Sequence, residues 1–296
     1  MATAVTREVF IMNNNFLNLE TSEIWQITPD DLIGNSIAIL GINGSGKSNS
    51  AAVLMEEALA SGIPIIVIDI AGEYHTLRER YDHVTVIGRS LNAKFCEVDL
   101  LVDIENVCDV ATKVYANAVS VVFDMSGIKQ VDRFMLLNYF LTTIWELSAQ
   151  LRIPTMIFLE EAHNWIPQQG RTSATDVVID MACEGRKRGI SLVMIGQRSA
   201  RIDKDTLTQA KIGILHRVNH PLDMKVYIDM IPRPPRYVRD TVYKLRDGEV
   251  IVLYKEKVLR VQMRRRHTRH PGATPTMDMI PAKSKQLSLL DLMGAA

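Results

Sequence analysis

Residues 41–48 read Gly-Ile-Asn-Gly-Ser-Gly-Lys-Ser, a complete GxxxxGK[ST] pattern. Its surroundings restrict the fold further. The apolar run Ser36-Ile37-Ala38-Ile39-Leu40 comes just before it and has the make-up of a strand buried on both faces. From Lys47 to about Ala60 the residues are good helix formers, and the stretch ends near Gly62. Strand, glycine loop and helix, in that order, are the setting in which this pattern cradles phosphate. Gly44 and Gly46 allow backbone angles that turn successive N–H groups toward one anion. The helix N-terminus adds its partial positive charge at the same point. Lys47 is placed to reach the β- and γ-phosphates and Ser48 to hold Mg2+. Asn43, Gly44, Ser45, Gly46, Lys47, Ser48 and Asn49 are therefore the candidate nucleotide-binding residues, with ATP and Mg2+ as the expected cofactors.

Composition narrows the partners. Lys plus Arg equals Asp plus Glu at 34 each, so the chain lacks the basic excess of an isolated DNA-binding module. Any grip on DNA has to come from a few local loops. The longest apolar stretch, Ile63 to Ile68, is far short of the ~20 residues that cross a bilayer, so no membrane partner is expected. The N-terminus Met-Ala-Thr-Ala-Val-Thr-Arg lacks the layout of a secretory signal. Cys96, Cys108 and Cys183 are odd in number and far apart, which suggests neither a disulfide framework nor a zinc site. A reducing cytoplasm fits, with each cysteine expected as a small buried apolar residue.

Apolar runs that read as strands fall at 36–41, 64–69, 83–87, 119–124, 154–160, 190–196 and 212–217, with a short one at Val9–Met12. Helical periodicity appears near 47–60, 103–117, 129–150, 174–187 and 222–230. Continuous rather than alternating apolar runs predict an α/β fold with a mostly parallel sheet flanked by helices. Pro232, Pro234 and Pro235 end any helix there. Beyond them Glu249–Tyr254 and Val258–Met263 alternate like a closing C-terminal β-hairpin. Residues 1–35 read as a short N-terminal extension, 36–263 as the core, and 264–296, opening Arg-Arg-Arg-His, as a basic and flexible tail.

Hydrolysis needs more than a phosphate loop. The strand Pro154–Leu159 ends in Glu160-Glu161, and carboxylates there are costly unless they meet a cation or the reaction. Glu160 is assigned to support Mg2+ and Glu161 to orient and deprotonate the attacking water. The plainer alternative is an acidic cap on a following helix. Gln197 ends the next strand, where a polar amide senses the γ-phosphate or is simply a loop residue. Glu184-Gly185-Arg186-Lys187-Arg188-Gly189 is either a helix C-terminus rich in cations or the carrier of an arginine for a neighbouring subunit.

Taken together, the phosphate loop, Asp69-x-x-Gly72-Glu73-Tyr74, Leu159-Glu160-Glu161-Ala162-His163-Asn164, Gly185-Arg186-Lys187-x-Gly189 and Gln197 resemble the HerA branch of the FtsK–HerA ATPases over roughly residues 33–265. The resemblance implies a RecA-like P-loop NTPase core, typically in a hexameric ring that moves double-stranded DNA. It implies Mg2+ support at Glu160, a catalytic carboxylate at Glu161, a polar sensor at Gln197 and Lys47 on the phosphates. It selects Arg186, ahead of Arg188, as an arginine finger acting in trans. Asp69 and Glu73 are expected near the nucleotide, and His163 as a satisfied histidine beside the site. Family members often carry an N-terminal β-barrel, for which about 35 residues are too few. That departure gives weight to a second reading, an ATPase platform that regulates a partner nuclease or antiviral-defence effector.

DNA contacts are expected from pore-facing loops, 168–175 with Arg171 and 198–204 with Arg201. In the tail, Gln286-Leu287-Ser288-Leu289-Leu290 resembles the short peptide that docks on a bacterial sliding clamp, with Leu290 in place of the terminal aromatic. Packing on the protein's own ring is the alternative.

Overall fold

Strands that are apolar on both faces must pair their backbones with one another and be covered by helices on each side. The computed structural model describes residues 16–17, 24–25, 28–89 and 97–271, and in it they do so. In chain order the elements are β1 (Phe16–Leu17), β2 (Ile24–Trp25), α1 (Pro29–Leu32), β3 (Ser36–Leu40), α2 (Lys47–Ala60), β4 (Ile65–Asp69), β5 (Val84–Gly88) and β6 (Leu100–Leu101). There follow α3 (Val107–Ala116), β7 (Ser120–Asp124), α4 (Gln130–Leu151), β8 (Thr155–Leu159), α5 (Thr175–Arg188) and β9 (Ile190–Gly196). The last are α6 (Lys204–Thr208), β10 (Ala210–Leu215), α7 (Pro221–Met230), α8 (Pro235–Val242), β11 (Glu249–Tyr254) and β12 (Lys257–Gln262). The expected α/β fold, its long helices and its closing hairpin are all present. The run Val9–Met12 and the segment Gln286–Leu290 lie outside the described residues.

One ten-stranded sheet has the order β12-β11-β10-β3-β9-β8-β4-β7-β5-β6. Neighbours from β10 to β6 are parallel, and β11 and β12 add antiparallel at one edge. On one face α3, α4, α5, α7 and α8 cover a core that holds Phe123 and Phe140, edge to face at 5.4 Å. On the other face α2 contributes Ala51, Val53, Leu54, Met55 and Ala58, all essentially without solvent contact. The path from β3 through α2 to β4 skips two positions, which β9 and β8 fill. The C-terminal ends of β3, β9, β8 and β4 therefore line a common edge, where ligands bind in open parallel sheets.

Three expectations are corrected. The prolines end α7, but Pro235 also starts α8 at its first turn, where a missing N–H costs nothing. Cys108 and Cys183 are exposed, on α3 and α5, rather than buried, because each falls on its helix's outer side; Cys96 is outside the described residues. Residues 264–270 are not a flexible tail. Arg264 pairs with Glu56 and Glu57 on α2 and Arg269 with Glu79, and the segment lies against α2. Among the described residues no helix is long and apolar enough to cross a membrane.

Candidate functional site

The phosphate loop leaves β3 through Gly41, whose N–H donates to Gly196 O at the end of β9 (3.2 Å). An added Cβ at Gly41 would come within 2.4 Å of His216 Cβ, so glycine is required there by space. Gly44 has φ 76° with nothing within 4 Å of an added Cβ, an open lip on a left-handed turn. Gly46, φ 99°, caps the start of α2, and a Cβ added there would come within 3.2 Å of Gly248 N. Ser45 is buried, and its carbonyl accepts from Gly248 N (3.1 Å) and His216 Nδ1 (2.7 Å). A carbonyl only accepts, so Nδ1 carries the proton and Nε2 is left as a buried acceptor with no hydrogen-bond partner among the described residues. Burial, with Lys47 adding to it, pushes the His216 pKa down to about 4. The loop thus rests on a neutral histidine and the hairpin turn, neither of which the sequence patterns indicated.

Lys47 is 9% exposed, and its Nζ donates to the carbonyl of Ile42 (2.9 Å). That carbonyl also takes the Ser45 hydroxyl (2.7 Å). It supplies Lys47 with the kind of acceptor that a phosphate oxygen would offer. Burial lowers the lysine's pKa, and Glu161, Glu73 and Glu160 oppose the shift. Asn43 and Gly44 form the exposed rim, and Ser48 sits half-buried beside the Tyr74 hydroxyl. Asn49 commits its side chain elsewhere, to the backbone of Arg264 and Arg266.

Across the crevice stand the strand-end acids. Glu160 is 8% exposed, and its Oε2 accepts from the N–H groups of Ile70 and Ala71, both at 2.9 Å. Burial raises its pKa well above the carboxylate range, helped by Asp69 and Glu73. Asp69 has no solvent contact, accepts from Gly72 N (2.7 Å) and Tyr74 N (2.8 Å), and shares a sheet register with Asp124. Burial raises its pKa to about 6, with repulsion from Asp124 adding to it. So Asp69 shapes the turn that carries Glu73 and Tyr74. Glu161 has φ 47°, a left-handed conformation that a glutamate holds only at a cost of ~1–3 kcal/mol. Its Oε2 lies 3.2 Å from His163 Nδ1 without hydrogen-bond geometry, and Glu73 Oε2, 3.9 Å from His270 Nε2, is also buried with no hydrogen bond among the described residues. Gln197 follows β9, half-buried.

Lys47, Ser48, Glu73, Glu160, Glu161 and Gln197 thus share one edge of the sheet. The residues fit a nucleotide with its cation: the loop offers an open cradle and a buried ammonium, and the facing carboxylates keep unsatisfied oxygens. Among the described residues no three His, Cys, Asp or Glu side chains group to hold a metal by themselves. A divalent ion would depend on Ser48, the phosphates and water, with Glu160 behind them.

Arg186 is not at this edge. It is exposed in the last turn of α5, ahead of β9, while the other end of β9 touches the phosphate loop. Seven strand residues put the two ends roughly 20 Å apart. Arg188 is taken up by Trp145, 3.6 Å from its ring and bonded to its carbonyl (2.7 Å). Arg186 makes no side-chain hydrogen bond or ion pair among the described residues. Loops 168–175 and 198–204 join into one surface: Pro167 and Ile202 form a bridge, Gln168 N donates to Arg201 O (2.7 Å), and Lys204 N donates to Gln168 Oε1 (3.2 Å). Arg171 pairs with Asp176, and Arg201 is exposed.

Comparison with known proteins agrees with this architecture. The family model described as Helicase HerA, central domain, matches residues 20–125. The DNA double-strand break repair helicase HerA of Pyrococcus furiosus is 27% identical over 113 residues, which is 38% of this chain and 20% of that protein. The probable helicase MJ1565 of Methanocaldococcus jannaschii is 36% identical over 72 residues, 24% of this chain and 14% of its own length. The matched segments thus span a fifth or less of those relatives. Among solved structures, VirB4 of Thermoanaerobacter pseudethanolicus superposes with a TM-score of 0.60 at 14% identity, covering 84% of this chain and 96% of that one. The genome packaging NTPase B204 of Sulfolobus turreted icosahedral virus 2, solved with ATPγS, gives 0.53 at 15% identity, covering 77% and 97%. At such identity these two likenesses speak to the fold.

Proposed function

The chain carries a HerA-like P-loop core, and on that premise we propose that it hydrolyses ATP at sites shared between copies, in a ring that acts on double-stranded DNA. One observation carries the reading. Lys47, Ser48, Glu160, Glu161 and Gln197 converge at one edge of the sheet, while Arg186, unpaired among the described residues, stands at the opposite edge of the same chain. A single copy cannot bring both edges to one nucleotide, but copies arranged head to tail in a ring can.

In this reading the loop amides and Lys47 hold the phosphates, with Lys47 turning from Ile42 O to a phosphate oxygen. Bound Mg2+ would neutralise charge on the β- and γ-phosphates. Ser48 would hold that ion through its hydroxyl, with Glu160, fixed by two backbone N–H groups, as the supporting carboxylate. Glu161, turned toward the crevice by its strained backbone, accepts the proton of the attacking water, and Gln197 orients it. The neighbour's Arg186 stabilises the charge of the transition state, a contribution of about 10³–10⁵ in rate for such enzymes. The joined surface carrying Arg171 and Arg201 meets duplex phosphates without regard to sequence.

Phosphate release from ATP by the purified chain with Mg2+ tests the reading. Turnover is expected in the wild type, loss of binding in Lys47→Ala, and binding without turnover in Glu161→Gln. A wild type that binds ATP yet never turns it over, with or without duplex DNA, would contradict it.

A further inference from the structure

Beyond β12 the chain continues as a strap, residues 263–270, laid over α2 and the short 3-10 turn His75–Glu79. Its course is pinned from several sides. Asn49, next after Ser48, treats it as a backbone partner: Nδ2 donates to Arg264 O (2.7 Å) and Oδ1 accepts from Arg266 N (2.9 Å). Glu56 is 1% exposed in the middle of α2. Its Oε1 accepts from His267 N (2.8 Å), Thr268 N (2.9 Å) and Thr268 Oγ1 (2.9 Å), and its Oε2 from Arg264 Nη1 (2.7 Å). Arg264 Nη2 reaches Glu57 (2.6 Å), and the Thr76 hydroxyl donates to Arg269 O (2.6 Å).

This anchoring delivers Arg266 to the Ser48 side of the crevice. Its Nε donates to Thr268 Oγ1 (3.0 Å) and its Nη2 to Thr76 Oγ1 (3.1 Å), so the planar guanidinium is held at two points. It lies 5.9 Å from the centroid of the Tyr74 ring, and Tyr74 in turn lies beside Ser48. The remaining nitrogen, Nη1, is buried and makes no hydrogen bond among the described residues. An unpaired donor on a charged group is costly to bury, and such a group in a folded protein calls for a reason. Glu73 Oε2, in the segment that Arg266 faces, is likewise buried without a hydrogen bond among the described residues, with the strap's His270 Nε2 3.9 Å away. A fixed cation with one unused donor therefore stands beside Tyr74, whose hydroxyl lies next to Ser48, on the same chain as the cradle. No sequence motif marks it.

We propose that Arg266 is a nucleotide-contacting residue supplied in cis, its Nη1 donating to a phosphate oxygen of the nucleotide held by Gly44–Ser48. The assignment rests on the ATP-binding reading above. It gives the site two arginines of different origin and task. Arg186 arrives from a neighbour and acts on turnover. Arg266 is already in place before assembly and acts on binding.

The test is titration of the full-length chain with a fluorescent non-hydrolysable ATP analogue and Mg2+, alongside thermal unfolding without nucleotide. Arg266→Gln is expected to weaken binding by about tenfold or more, the range for a hydrogen bond to a charged group. Its unfolding temperature should not fall in parallel. Free guanidinium ion at millimolar levels should restore part of the affinity, and Arg266→Lys, a point charge without the fork, should fall between. Wild-type affinity in Arg266→Gln, or a loss that follows lost stability and resists rescue, would overturn the inference. A wild type that binds no analogue, and so does not differ from Lys47→Ala, would overturn the ATP-binding reading and the inference with it.

Discussion

His216 illustrates how much of this site is decided by single buried atoms. Its ring is held neutral behind the phosphate loop, with a folded pKa near 4 against an ordinary 6.5. As pH falls from 6.5, the unfolded chain takes up a proton that the folded chain refuses, so the folded state loses stability until about pH 4. The lost amount is on the order of 3 kcal/mol. Asp69, raised to about 6, works in the opposite sense over part of that interval. The two separate by comparison with His216→Asn, which keeps a donor for Ser45 O but does not titrate. Denaturant unfolding at pH 7 and pH 4 should show the wild type losing ground to the variant by that amount; a constant gap would refute the neutral histidine. Residue types in motifs were legible in the sequence: Lys47, Ser48, Glu160, Glu161 and Gln197 do share one crevice. His216 was not, because a histidine at a strand end looks the same whether it is solvated or buried under a loop.

Among the elements, the strands and long helices match the sequence reading because continuous apolar runs and helical periodicity are local signals. Besides the short β1, β2, α1, β6 and α6, two larger parts of the chain escaped it. Helix α8 begins at a proline that, read locally, only breaks structure. The strap at 263–270 escaped because its partners, Glu56 and Glu57, lie some two hundred residues upstream. A run of arginines with no nearby acid reads as a solvated tail. The anchoring is measurable. Glu56→Ala leaves Arg264 and the strap donors without their acceptor, and is expected to destabilise the fold by about 3–5 kcal/mol. Thermal unfolding within a degree or so of wild type would show that the strap is only laid on the surface. For the carboxylate itself, burial would raise the pKa, and its strap donors more than offset this. Its stabilising effect is therefore full above the ordinary carboxylate pKa and is lost as pH falls through the lowered value.

At the scale of the whole molecule, the separation of Arg186 from the phosphate cradle sets the account. The family resemblance pointed to that arginine, and in the proposed reading the sheet topology is why it would serve another copy: α5 ends where β9 begins, and the cradle sits where β9 ends. The paired loops with Arg171 and Arg201 lie on the cradle side. Reversing both charges should weaken duplex binding uniformly across sequences and flatten its dependence on salt, by a slope of up to about two, while leaving ATPase activity without DNA intact. Unchanged binding with an unchanged salt slope would move the DNA path elsewhere. The most direct measurement mixes two inactive variants, Arg186→Ala and Glu161→Gln, and follows phosphate release. The account predicts that activity returns on mixing, at interfaces where an intact Glu161 meets a neighbour's intact Arg186. Mixtures that stay silent, or a verified single copy that hydrolyses ATP at full rate, would contradict it.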